Sequence, residues 1–137
     1  MKAGRRMASR LRSLALTLRD PSLQSMAEIE LSLFDRDEGK FDDAISHLEA
    51  AERIVRSEND LAGLVAVHLQ RARQEYNRGR TDIAERHSRE ALRNAELSGN
   101  RDARIAALNN LGETLPEGDE ALRCLAEAEK LVSLRRC

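Results

Sequence analysis

The sequence predicts an all-α protein built from stacked two-helix units, about seven helices in all. Three observations carry this. The chain repeats: Gly39-Lys40-Phe41-Asp42-Asp43-Ala44 and Gly79-Arg80-Thr81-Asp82-Ile83-Ala84 stand 40 residues apart, and the same offset joins His47 to His87, Ala51 to Ala91 and Arg53 to Arg93. A fixed period of this size marks an array of supersecondary units, each burying its apolar face on the next. Small residues recur at seven-residue spacing, as Ala44/Ala51, Ala84/Ala91 and Ala121/Ala128. Seven residues are two helical turns, so each pair lies on one face and lets a neighbouring helix approach closely. Finally, aromatics make up 2% of the 137 residues, Trp is absent and only Pro21 and Pro116 interrupt the chain, which suits long helices and not sheets.

The first helix should run from about Gly4 to Arg19, with Leu11, Leu14, Ala15 and Leu18 as a narrow apolar stripe. Asp20-Pro21 reads as an N-cap followed by proline at the first helical position. The next helix carries Met26, Ile29, Leu31, Leu33 and Phe34 and ends near Gly39, which can adopt the left-handed closing conformation. A third begins near Asp42 and carries Ala44, Leu48, Ala51, Ile54 and Val55; Ser57-Glu58-Asn59-Asp60 is the turn that caps the fourth. That fourth helix spans about Leu61 to Asn77. The fifth spans about Asp82 to Leu97, with Asp82 and Glu85 spaced as a capping box. A sixth from about Asp102 stops at Thr114, because the residue before Pro116 avoids helical geometry. The last covers about Asp119 to Leu134.

The chain is long enough for one domain with a real core, and 41% hydrophobic with 34% charged residues predicts a soluble, folded protein. No apolar stretch approaches the ~20 residues of a membrane span. Cys124 and Cys137 form neither a disulfide framework nor a zinc motif, and a reducing cytoplasm is the expected compartment. The formal net charge of −1 hides an asymmetry: residues 1–20 hold Lys2, Arg5, Arg6, Arg10, Arg12 and Arg19 against Asp20, leaving 17 of 23 basic and 23 of 24 acidic residues for the remainder. That basic start reads as a capping helix, as a targeting segment, or as an arm for nucleic acid or anionic lipid. The capping helix is the preferred reading.

His47, His87 and Cys124 fall at equivalent places in three successive second helices. Packed helices lie ~8–10 Å apart and zinc ligands ~2.0–2.3 Å from the metal, so this column is expected to be three side chains on one exposed or semi-exposed face and not a metal site. The carboxylates around Glu28, Glu30, Asp35, Asp37, Glu38, Asp42 and Asp43 read as a solvated surface, and His68, among Leu64, Val65, Leu69 and Ala72, as a core-edge residue. There is no glycine-rich phosphate loop, nucleophile elbow or His-Glu metal motif, so no enzyme and no cofactor is expected.

Leu108-Asn109-Asn110-Leu111-Gly112 followed by Ala121, Leu125 and Ala128 resembles the tetratricopeptide repeat family. Leu31, Ser32, Ala44, Leu48 and Ala51, then Ala72, Ala84 and Ala91, supply weaker copies. The period exceeds the family's usual ~34 residues and looks like its longer bacterial variety; Arg71 and Ser88 depart from the pattern. The resemblance implies a right-handed superhelix of three repeats, about 22–60, 61–100 and 101–137, behind a basic capping helix at 1–19. It also implies that the first helices line a concave face that holds a protein or peptide in bacterial regulation or assembly.

Following the period, that lining includes Ile29, Leu33, Leu69, Arg73, Tyr76, Asn77, Asn109 and Glu113. An asparagine amide both donates and accepts, so it can hold a peptide backbone, and Arg73 can fork onto a carboxylate. Ile29, Leu33 and Leu69 stand where some family members place a clamp for C-terminal carboxylates, which argues against that partner class. The rival reading is nucleic-acid association through the basic helix, with the repeats as a dimerisation module. Nothing in the sequence follows the last helix, so Leu125, Leu131, Val132 and Leu134 are expected to form an uncovered apolar edge. That edge predicts self-association, most simply as a homodimer, or docking onto something larger.

Overall fold

The structure, a computed structural model, describes residues 2–135. It contains seven helices: α1 (Lys2–Leu18), α2 (Pro21–Asp37), α3 (Phe41–Ser57), α4 (Leu61–Asn77), α5 (Thr81–Ser98), α6 (Arg101–Thr114) and α7 (Asp119–Arg135), with no strand among the described residues. None is long and apolar enough to cross a membrane. The chain divides into two compact units, one up to Val67 and one from His68.

Turn chemistry sets the helix boundaries as the residues predict. Asp20 accepts from the Leu23 amide at 3.2 Å, with Pro21 at the first helical position. The Asp60 carboxylate accepts from the Gly63 amide at 2.9 Å, and Asn100 from the Ala103 amide at 3.0 Å, each satisfying an amide that the helix leaves open. Gly39, Gly79 and Gly99 end their helices at φ +77°, +79° and +69°, where any side chain would be strained. Leu115 is extended ahead of Pro116 and stops α6. The expected capping box of Asp82 and Glu85 does not form. Helix α5 starts one residue earlier, with Arg80 as an N-cap that makes no side-chain bond. Asp82 therefore lies inside the first turn, where its charge faces the helix dipole instead.

In the first unit, α2 packs on both α1 and α3. Ala44, Leu48 and Ala51 are wholly buried, and Ala51, Val55, Leu64 and Val67 form a core cluster. Helix α1 uses only half of the stripe expected of it, Leu11 being half-buried and Ala15 fully buried. It buries Ala8 and Ala15, while Leu14 and Leu18 are 52% and 59% exposed. The reason is close approach: a Cβ on Gly4 would lie 2.5 Å from Phe34 Cζ, so α1 settles on α2 along its small residues. Ile29, expected on a binding face, packs instead against the core cluster.

In the second unit, α6 packs on α5 and α7. Its core joins Leu108, Leu111, Leu115, Ala121, Cys124 and Ala128, with Leu92 and Leu131 against it. A Cβ on Gly112 would lie 2.6 Å from Leu125 Cδ2, so the absent side chain lets α7 close on α6 there. All six of the paired alanines are buried, as helices sharing close-packed faces require.

Candidate functional site

Two grooves lie in the second unit. The smaller, about 400 Å³, runs between the second half of α4 and α6 and is lined by Arg73, Asp102, Ile105, Ala106, Asn109, Asn110 and Glu113. The larger, about 1000 Å³, lies where the α6–α7 turn faces the end of α4 and the start of α5. Tyr76, Asp82, Glu85 and Glu113 stand on its sides, and Leu115, Leu122 and Leu125 are among its apolar residues. Glu113 belongs to both.

The structure thus brings Arg73, Asn109 and Glu113 together in one groove, and Tyr76, Glu113 and Leu125 in the other. Leu69, half-buried, and Asn77, exposed, line neither. Leu33 is half-buried in the first unit. Of the residues assigned to an apolar C-terminal edge, Leu131 turns inward onto the α6–α7 core, Leu134 is 50% exposed, and Leu125 stands in the larger groove at 38% exposure.

Asn110 is the groove residue that periodicity missed. It is 5% exposed, and its carboxamide oxygen accepts from Ser88 Oγ at 2.6 Å. Ser88 Oγ also lies 3.1 Å from Thr114 Oγ1, so its single proton serves one of these two acceptors at a time, and Thr114 donates to the Asn110 carbonyl at 2.7 Å. This buried set ties the Asn110 side chain on α6 to Ser88 on α5. Ser88, a departure from the repeat pattern, was the available signal.

The carboxylates expected on a solvated surface are not all there. Glu28 and Asp35 are buried, at 6% and 3% exposure. His47 bridges them, with Nδ1 2.6 Å from Glu28 and Nε2 3.3 Å from Asp35. From α1, Arg12 reaches Glu28 at 3.0 Å and Arg5 reaches Asp35 at 2.7 Å and Glu38 at 3.1 Å. The Lys40 ammonium and the Arg5 guanidinium hold the Glu38 carboxyl below its usual range. This network joins three helices and sets both buried carboxylates against Arg5, Arg12 and His47, with Asp35 Oδ2 near the imidazole but not hydrogen-bonded to it, so it reads as structural.

Equivalent places in the next repeat hold His68 and His87, whose Nδ1 atoms lie 2.9 Å apart with the rings stacked. His68 is therefore a buried residue and not a core-edge one. In the third repeat the corresponding Leu108 and Cys124 are core residues. Burial pushes the Cys124 thiol up, and Glu120 and Glu127 add to it, so the thiolate needed for nucleophilic or metal chemistry is disfavoured. Among the described residues no group of three or more His, Cys, Asp or Glu is arranged to hold a metal ion.

Comparison with family models, curated proteins and solved structures finds no match.

Proposed function

We propose that the protein is a non-catalytic binding module that holds a segment of a partner protein along the second unit, acting in the cytoplasm within a bacterial regulatory or assembly system. One observation carries this reading. Arg73, Asn109 and Glu113 line one groove and are all exposed, and their side chains form no hydrogen bond or ion pair among the described residues. Buried Asn110 stands beside them, oriented by Ser88. Polar groups placed along a groove and free of internal partners are what recognition of a peptide backbone requires. The tetratricopeptide-like pattern supports the same reading.

The nucleic-acid alternative loses ground at α1. Arg5 and Arg12 are engaged by Asp35, Glu38 and Glu28, so fewer cations remain there for phosphates than the charge count implies.

The test is selection of binders from a random peptide library, followed by calorimetry on variants. Arg73→Ala with Asn109→Ala should weaken a selected peptide by ~2 kcal/mol or more, about 30-fold, with an unchanged melting temperature. Full affinity in the double variant would remove this groove as the site.

A further inference from the structure

We propose that the larger groove of the second unit takes a cationic amphipathic segment of another protein. On this proposal the segment seats a leucine-sized side chain on the α6–α7 floor and sets Lys or Arg against the rim. It rests on the binding-module reading and adds the chemistry of the partner.

The floor comes first. Leu115, Leu122 and Leu125 line the groove, and Leu122 and Leu125 are 65% and 38% exposed. Exposed leucines one helical turn apart in the lining of a concavity favour an apolar occupant. The concavity is preformed. Gly112 lets Leu125 lie against α6, and Thr114 in its wall is held by Ser88 at 3.1 Å. A wall fixed in advance lowers the ordering that binding would otherwise require.

The rim is independent of the floor. Asp82, Glu85, Glu113 and Glu117 all line the groove, and no Lys, Arg or His does. Glu85 is paired with Arg89 at 3.2 Å, whereas Asp82, Glu113 and Glu117 form no ion pair among the described residues. Four carboxylates around an apolar floor favour a cation-bearing partner and repel phosphate. A nucleic acid or an anionic lipid surface is thereby disfavoured. At about 1000 Å³ the groove is at the upper end of small-molecule sites, room enough for several side chains of a chain segment.

The probes are three synthetic helical peptides tested on the full chain: one of Leu and Lys, one of Leu and Glu, and one of Ser and Lys with the same charge as the first. The Leu–Lys peptide should bind at least tenfold tighter than either control at physiological salt. Asp82→Asn with Glu113→Gln and Glu117→Gln should weaken it about tenfold. Leu122→Ser, at a position exposed enough to leave the fold intact, should weaken it several-fold. Equal binding of the Leu–Lys and Ser–Lys peptides, or indifference to both sets of variants, overturns the proposal. If the Leu–Lys peptide fails while a library-selected peptide depends on Arg73 and Asn109, the cationic partner falls and the binding module stands; if nothing binds, both fall.

A second copy of the chain is the competing occupant, because α1 exposes Met7, Leu14 and Leu18 beside Arg6 and Arg10. Sedimentation of the chain alone separates the two. A monomer supports a different protein as partner. Self-association abolished by the same carboxylate variants and by Leu14→Glu would assign the groove to a second copy and overturn the proposal.

Discussion

Replacing His47 with alanine is expected to destabilise the protein by about 3 kcal/mol. The imidazole lies against both buried carboxylates, Glu28 at 2.6 Å and Asp35 at 3.3 Å. Removing it takes the closest partner from a buried carboxylate, and a buried charged group left short of a partner costs more than the ~1–3 kcal/mol of a neutral one. Here Arg5 and Arg12 remain and are partly exposed, at 31% and 51%, so the loss stays close to that range. The third repeat supplies the contrast, since Leu108, Leu115 and Cys124 stand in the places of Glu28, Asp35 and His47 and belong to an apolar cluster. Changing all three polar residues to leucine should therefore leave stability within about 1 kcal/mol of the original. Urea denaturation of the single and triple variants measures both. A triple variant as unstable as His47→Ala would show that the network contributes more than mutual compensation.

Leu111→Ala is expected to cost ~2–5 kcal/mol. Leu111 is 2% exposed and lies in the cluster that joins α6 to α7. Its neighbours Ala107 and Gly112 are small, so little can move into the vacated space. The same change should blunt peptide binding at both grooves, because α6 supplies a wall to each. A loss under 1 kcal/mol, read from the shift of the denaturation midpoint, would mean that α6 is not seated as described.

Most of the fold was legible in the residues. Helix ends are written in single positions whose physics is local: glycine at positive φ, proline after an aspartate cap, the residue ahead of Pro116. The alanine pairs foretold the buried faces for the same reason, since small side chains at seven-residue spacing have few other uses. What the pattern could not show was long-range compensation. Glu28 and Asp35 were read as surface because carboxylates usually are. They are buried because Arg5 and Arg12 of α1 and the His47 imidazole of α3, from distant parts of the chain, lie against them. A signal was present: Glu28 and Asp35 stand seven apart, as do Arg5 and Arg12, a matched pair of charges on two consecutive helices. The stripe on α1 held at Leu11 and Ala15 but not at Leu14 and Leu18, as leucine spacing lost to the close approach that Gly4, Ala8 and Ala15 permit. Of the candidate site, Arg73, Asn109 and Glu113 followed from periodicity, whereas the larger groove depends on how the Thr114–Asp119 turn is shaped, which no helical period encodes.

The most direct measurement is a map of backbone amide shifts in isotope-labelled protein titrated with a library-selected peptide. Binding along the second unit predicts saturable changes at Arg73, Tyr76, Asn109 and Glu113, with those around Arg6 and Arg10 unmoved. Changes confined to α1, or none at any selected peptide's saturating concentration, would contradict a partner-binding role for these grooves.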